Sequence, residues 1–213
     1  MAKKKEIRNT QDVLRVLCKS VNNVLNKTTN SNITYSPTIQ KIARTCLKPD
    51  LSCFVLFEGS FSGLIIINLT ADAAIEIYKK YMVNMGMPDT HGVLLHTSDD
   101  VGNTLGELMN QIVGDFQGEL EYLAKLSIKQ TQPKMLALNK EVMLSVSANI
   151  DRPQSRRVVF STEDRNTFYL EMSMEKTDFL RLDTEAFAHF DDDDDDSSDK
   201  SDTHKKIMDD LDI

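Results

Sequence analysis

The sequence contains no tryptophan, only three cysteines and five prolines among 213 residues, and no long apolar run. The densest apolar stretches, Cys53–Phe57 and Leu64–Ile67, fall far short of the roughly 20 residues a bilayer-spanning helix needs. Membrane insertion is therefore not expected. The cysteines, Cys18, Cys46 and Cys53, are odd in number, form no CxxC pair and sit in apolar segments, which argues against a disulfide framework and against a metal site. Walker, GxGxxG, HExxH and GxSxG motifs are all missing, and with them the usual signatures of nucleotide, dinucleotide, zinc-protease and serine-hydrolase chemistry. The start, Met1-Ala2-Lys3-Lys4-Lys5-Glu6, is basic but leads into no apolar signal core, so a cytoplasmic location is expected.

What is present is unevenly spread. The net charge of −8 belongs to the end of the chain: residues 183–213 carry 13 acidic against 3 basic side chains, leaving residues 1–182 at +2. Without a basic stripe, nucleic-acid binding is not expected. The six aspartates Asp191–Asp196, followed by Ser197-Ser198-Asp199, cannot pack, so 183–204 reads as a disordered acidic linker. Apolar residues return in 205–213, where Ile207, Met208 and Leu211 are spaced for one face of a short amphipathic peptide.

Periodicity organises the remainder. Helical spacing of Ile7, Val13, Leu14, Leu17, Val21, Val24 and Leu25 predicts a helix over about 6–26. Strands are expected around Ile33–Tyr35, Cys53–Phe57 and Leu64–Ile67, the last two forming a hairpin. Thr70 caps a helix running to about Met85. A long helix is expected over 99–123, capped by Ser98 or Thr97, with Asp99 and Asp100 in its first turn. Strand-like segments follow at Leu126–Ile128, Val142–Val146, Val158–Phe160 and Phe168–Leu170, then a last helix from about Glu175. Laid side by side, residues 6–90 and 97–182 repeat one order of helix, strands, hairpin and helix. The expected fold is α+β: two pseudo-symmetric halves sharing a mainly antiparallel sheet with long helices packed on it, in one domain over 1–182.

On the long helix, Val101, Leu105, Leu108, Met109, Ile112, Val113, Phe116, Leu120 and Leu123 make the core face, and Asn103, Glu107, Asn110, Gly114 and Glu121 the opposite one. Glu107 and Asn110, three apart, project together. Four of the chain's eight glycines, Gly102, Gly106, Gly114 and Gly118, lie in this helix, each at a cost of about 1 kcal/mol relative to alanine. Either a packed neighbour or a partner protein must approach the backbone closely. His91 and His96 flank the start of the helix without a third ligand and read as loop residues. Asp151–Gln154 with Arg156 and Arg157 forms a basic turn.

The run Asp99–Phe116, with Glu107, Asn110 and then Pro133 after 22 intervening residues, resembles the central helix of the CheC, CheX and FliY phosphatases of bacterial chemotaxis. The segment Phe57–Gly63 followed by Ile65–Ile67 and Ala73-Ala74 resembles that family's hairpin and next helix. The resemblance covers about residues 8–175 and implies hydrolysis of the aspartyl phosphate on a CheY-like response-regulator receiver. It makes Glu107 and Asn110 the catalytic pair, with Asn103, Gly106, Gly114 and Pro133 supporting them. It implies no cofactor of the chain's own, Mg²⁺ being carried by the receiver. Where the family has Asp or Ser, this chain has Asn103, which leaves a non-catalytic receiver- or flagellar-switch-binding module as the alternative. In the first helix, Lys19 and Asn22 or Ser20 and Asn23 stand in the corresponding window, so one site per chain is expected, as in the CheX branch. That branch also implies a homodimer. The peptide 205–213 resembles the terminal CheY-binding peptides of CheZ and FliM, which makes Ile207, Met208 and Leu211 candidate partner contacts.

Overall fold

In the computed structural model, residues 7–87, 94–143 and 153–179 are described. Helix α1 (Thr10–Thr29) starts where the Asn9 side chain accepts hydrogen bonds from the Gln11 and Asp12 amides, and stops at Asn30 in the left-handed conformation. Three short strands follow, β1 (Thr34–Tyr35), β2 (Gln40–Ile42) and β3 (Cys46–Leu47). The hairpin is β4 (Leu51–Gly59) and β5 (Gly63–Leu69). Thr70 then caps helix α2 (Ala71–Asn84), and Ser98 caps helix α3 (Asp99–Ala124). Strands β6 (Ile128–Gln130), β7 (Lys134–Ala137), β8 (Val142–Met143), β9 (Gln154–Ser161) and β10 (Thr167–Met174) complete the described order.

The main sheet runs β1-β9-β10-β5-β4-β6, with β2 also on β9 and β7 also on β4. Every pairing is antiparallel. Alternation puts Leu51, Cys53, Val55 and Phe57 of β4, Ile65 and Ile67 of β5, and Phe168, Leu170 and Met172 of β10 on the side of the three helices, where they join one core with Leu17, Val21, Leu108, Ile112 and Phe116. The other side of β5 is covered too. Leu64 and Ile66 pack against Leu47 of β3, so β5 is buried on both faces. Asn68 and Glu171 latch that cover: Asn68 Oδ1 accepts from the Lys48 amide (2.9 Å), Asn68 Nδ2 donates to Cys46 O (3.0 Å), and Glu171 Oε2 accepts from the Cys46 amide (3.1 Å).

The two halves exchange strands. β1 and β2, which follow α1, pair with the second hairpin, while β6 and β7, which follow α3, pair with the first. The hairpins meet at β5 and β10 in the centre. The register is internally symmetric: Tyr35 lies opposite Phe160 as Gln130 lies opposite Phe57, and Lys41 opposite Arg156 as Met135 opposite Cys53. The helices are tied to their strands alike. Asn22 donates its amide to Ile33 O, and Gln117 does the same to Ile128 O at 3.2 Å, each over eleven residues.

That alignment corrects the expected correspondence of the helices. Laying Gln117 on Asn22 carries the buried Leu105, Leu108, Met109, Ile112, Val113, Phe116 and Leu120 onto buried Thr10, Val13, Leu14, Leu17, Cys18, Val21 and Leu25. The counterparts of Glu107 and Asn110 are thus Asp12 and Arg15, not the Lys19–Asn23 window. A second correction concerns the last helix, which does not begin at Glu175. Residues 175–179 are extended because their backbone is used by the segment before α1: Asp178 bridges Asn9, the Phe179 amide donates to Arg8 O (2.8 Å), and the Phe179 ring packs on Phe61. Strands β2, β3 and β7 were not expected. The described residues all fall in one compact unit. The linker 183–204, the peptide with Ile207, Met208 and Leu211, His91, Asp151, Arg152 and residues 144–146 lie outside the described residues.

Candidate functional site

Helix α3 lies over the sheet edge formed by β7, and the space between them is a cleft of about 480 Å³. Its position follows from how the chain is pinned on either side. The Ser127 amide donates to Ser60 Oγ (3.0 Å), and the Thr131 amide donates to Leu56 O (2.9 Å) while Thr131 Oγ1 accepts from the Leu56 amide (3.1 Å). This holds the segment entering β7 against β4 and sets Gln132 and Pro133 at the cleft wall. The facing wall is the first half of α3, presenting Gly102, Asn103, Gly106, Glu107 and Asn110. Leu51, Met135 and Ala137 complete the lining on the sheet side, and His96, Thr97, Ser98 and Asp99 close the end where the helix begins.

Five residues singled out by sequence therefore share one cleft: Asn103, Gly106, Glu107, Asn110 and Pro133. Asn103 and Glu107 are exposed and Asn110 is half-buried. Gly114 is exposed farther along the helix and does not line the cleft. Nothing among the described residues requires the helical glycines. A Cβ on Gly102, Gly114 or Gly118 would meet nothing within 4 Å, and one on Gly106 would touch only Met135 Cγ at 3.7 Å. Of the two explanations for these glycines, a packed neighbour among the described residues is removed for three of them.

The chemistry of the cleft is lopsided. Asp99 and Glu107 bring carboxylates, Asn103, Asn110 and Gln132 bring amides, and among the described residues no lysine or arginine lines it. A free anion finds no countercharge here, whereas a cationic group, or a phosphoryl group that arrives with its own cations, meets a carboxylate beside amides that both donate and accept hydrogen bonds. Among the described residues no group of three or more His, Cys, Asp or Glu side chains could hold a metal ion, and no helix is long and apolar enough to cross a membrane. His96, read from sequence as a loop residue, is half-buried on the cleft rim. Gln132 and Met135 also escaped the sequence reading; their strand is too short and too exposed to announce itself, and only the nearness of Gln132 to Pro133 pointed that way.

The three cysteines are buried and unpaired. Burial pushes the Cys18 and Cys53 thiols up to about 12, so neither supplies a thiolate at neutral pH.

Residues 4–211 match the family described as "Protein of unknown function (DUF3334)". No curated protein matches the sequence. Among solved structures, the chain is similar to the chemotaxis protein CheX from Desulfovibrio desulfuricans (17% identity, TM-score 0.63, covering 77% of this chain and 99% of that one). It is similar to CheX from Vibrio vulnificus (15%, 0.62, 77% and 99%). It is also similar to a chain of the CheX–CheY–BeF₃–Mg²⁺ complex from Borrelia burgdorferi (18%, 0.54, 76% and 97%). At these identities the likeness establishes a shared fold, an α+β architecture with a mainly antiparallel sheet.

Proposed function

The chain belongs to the DUF3334 family, and from a CheX-like fold that sets Glu107 and Asn110 side by side in an open cleft we propose that it accelerates hydrolysis of the aspartyl phosphate on a CheY-like receiver domain. The observation that carries this reading is the cleft itself. It is lined by a Glu–Asn pair three residues apart on an exposed helix face, opposite Pro133, and its described lining holds no lysine or arginine. A phosphorylated receiver brings the phosphoryl group, a lysine and Mg²⁺ in one package. That a similar fold was crystallised with CheY, BeF₃ and Mg²⁺ supports such a partner.

In this mechanism Glu107 pairs with a lysine of the receiver and fixes the docking. Asn110 enters the receiver's site and orients a water for in-line attack on phosphorus, its amide accepting from one group and donating to another. The chain supplies positioning and electrostatics rather than a covalent step. Mg²⁺ stays with the receiver and neutralises charge on the phosphoryl oxygens. The glycines of α3 leave room for the receiver's loops against the helix backbone. The homodimer belongs to the same reading: Leu136, Val142 and Met143 are exposed and offer apolar surface to a second copy. The peptide 205–213 then captures the receiver through Ile207, Met208 and Leu211 behind its acidic tether and raises the local concentration at the cleft.

The test is phosphate release from phosphorylated receiver domains in Mg²⁺, with the wild type and with Glu107→Ala and Asn110→Ala. Acceleration by the wild type, lost by about 10²-fold or more in Asn110→Ala, is the expected result. Binding without acceleration by any of the three proteins would turn the reading into that of a receiver-binding module, which the uncharged Asn103 favours. Deleting 205–213 should raise the receiver concentration for half-maximal rate and spare the saturated rate; unchanged kinetics would remove the capture role.

A further inference from the structure

The sheet has two outer edges. One carries β6 and β7 beside the cleft, the other β1 and β2 on β9. The internal symmetry that relates them sets Asp12, Arg15 and Lys41 where Glu107, Asn110 and Met135 stand, and Arg156 where Cys53 stands. A face that is acidic and amide-rich in the second half is rich in cations in the first.

Lys41 and Arg156 are direct cross-strand partners in the β2–β9 register. Like charges directly opposite one another in an antiparallel pair repel, and nothing among the described residues relieves them. The Arg156 guanidinium donates to two neutral acceptors, Ser155 O (3.1 Å) and Gln154 Oε1 (3.0 Å). Lys41 is exposed, and no described carboxylate lies within ion-pair distance of either side chain. Arg157, one residue on and on the opposite face, shows the contrast: Glu171, fully buried, holds it at 2.7 Å. Arg44, just past β2, is also exposed, its guanidinium against Met143 Sδ. Among the described residues strand β2 pairs with β9 alone, and its outer row of backbone N–H and C=O groups has no described partner.

We propose that the β2 edge, with Lys41 and Arg156 beside it, binds an extended acidic polypeptide segment as an added strand. Backbone hydrogen bonds to β2 supply register, and carboxylates at alternate positions neutralise the repelling pair. A nucleic-acid strand would use the cations but leave the open backbone edge unpaired, which is why a polypeptide is favoured. The site is at the opposite edge of the sheet from the cleft and does not rest on the phosphatase reading.

The experiment uses the full chain and fluorescence anisotropy with three labelled probes: a short peptide alternating Glu and Val, its counterpart alternating Lys and Val, and a single-stranded RNA oligonucleotide. The wild type is expected to bind the acidic peptide, more weakly as salt rises, while Lys41→Glu/Arg156→Glu loses at least about tenfold in affinity for it. The same variant is expected to gain affinity for the basic peptide while its circular dichroism spectrum and thermal midpoint stay those of the wild type, which separates a reversed site from an unfolded chain. Asn110→Ala is expected to bind as the wild type does. Equal affinity of wild type and double variant for the acidic peptide, no saturable binding of it, or tighter binding of RNA would each overturn the proposal.

Discussion

Glycines that look alike in the sequence have opposite roles at the level of single residues. Gly63 is forced by packing: a Cβ there would lie 2.5 Å from the Phe57 ring and 2.6 Å from Ser173 O, between β4 and β10. Gly63→Ala is expected to destabilise the chain by about 1–3 kcal/mol, the usual cost of overpacking. Gly114 has open space where a Cβ would go, so Gly114→Ala should stabilise α3 by about 0.5–1 kcal/mol through helix propensity alone. Urea denaturation of the two variants decides, and a loss of stability in Gly114→Ala would mean that the glycine serves the fold. If the variant is instead more stable and a slower phosphatase, the helical glycines are kept for a partner's approach. The sequence could flag these glycines as costly, but only the packing around each Cβ separates the two classes.

Among the elements, α2 is joined to the second hairpin's turn chiefly through one side chain. Glu76, 8% exposed, accepts from Thr162 Oγ1, from Asn166 Nδ2 (2.9 Å), from the Asp164 amide (3.2 Å) and from Lys80 Nζ (2.9 Å). It thereby ties the helix to the β9–β10 turn. Burial pushes its carboxyl up, but the bonds from Thr162, Lys80, Asn166 and the Asp164 amide outweigh burial and hold it below its ordinary value of 4.5. A carboxyl with a lowered pKa contributes its full stability above the unfolded value and loses it as pH falls through the folded one. Thermal stability is therefore expected to hold from neutral pH to about 5 and to decline below that. Glu76→Ala leaves Lys80 paired with Glu163 and Asp164 but strips Thr162, Asn166 and the Asp164 amide of their acceptor; it is expected to cost about 1–3 kcal/mol at pH 7 and to flatten the acid decline, and an unchanged acid limb would assign that decline to other carboxylates. None of this network was legible in the sequence, because its members are spread over ninety residues and Glu76 sits in an otherwise ordinary amphipathic helix. The long helices and both hairpins were legible, since their apolar periodicity is strong. Strands β2, β3 and β7 were not, being two to four residues long and mostly exposed or paired on one side.

For the molecule as a whole, duplication supplies two helix–edge junctions, and the residues at each decide how many sites the chain has. The sequence revealed the repeated order of elements, but the strand exchange between halves was hidden, and with it the true partner of the Glu–Asn pair. That partner is Asp12 and Arg15, which close on each other at 2.8 Å. A carboxylate already bonded to its own helix neighbour is less available to a receiver's lysine. A guanidinium, which donates but never accepts, cannot hold a water by both of its hydrogen-bonding roles as an amide does. On the proposed reading the first half therefore offers no second catalytic position, and the loss of about 10²-fold or more in Asn110→Ala should not be made up from α1. Residual acceleration in Asn110→Ala that Arg15→Ala then removed would overturn this. Titration calorimetry with a receiver carrying BeF₃ and Mg²⁺ gives the independent measure. One receiver bound per chain is expected, falling to none measurable in Glu107→Lys, where a lysine would face the receiver's own. Two receivers per chain would place a working site on α1 in spite of its ion pair.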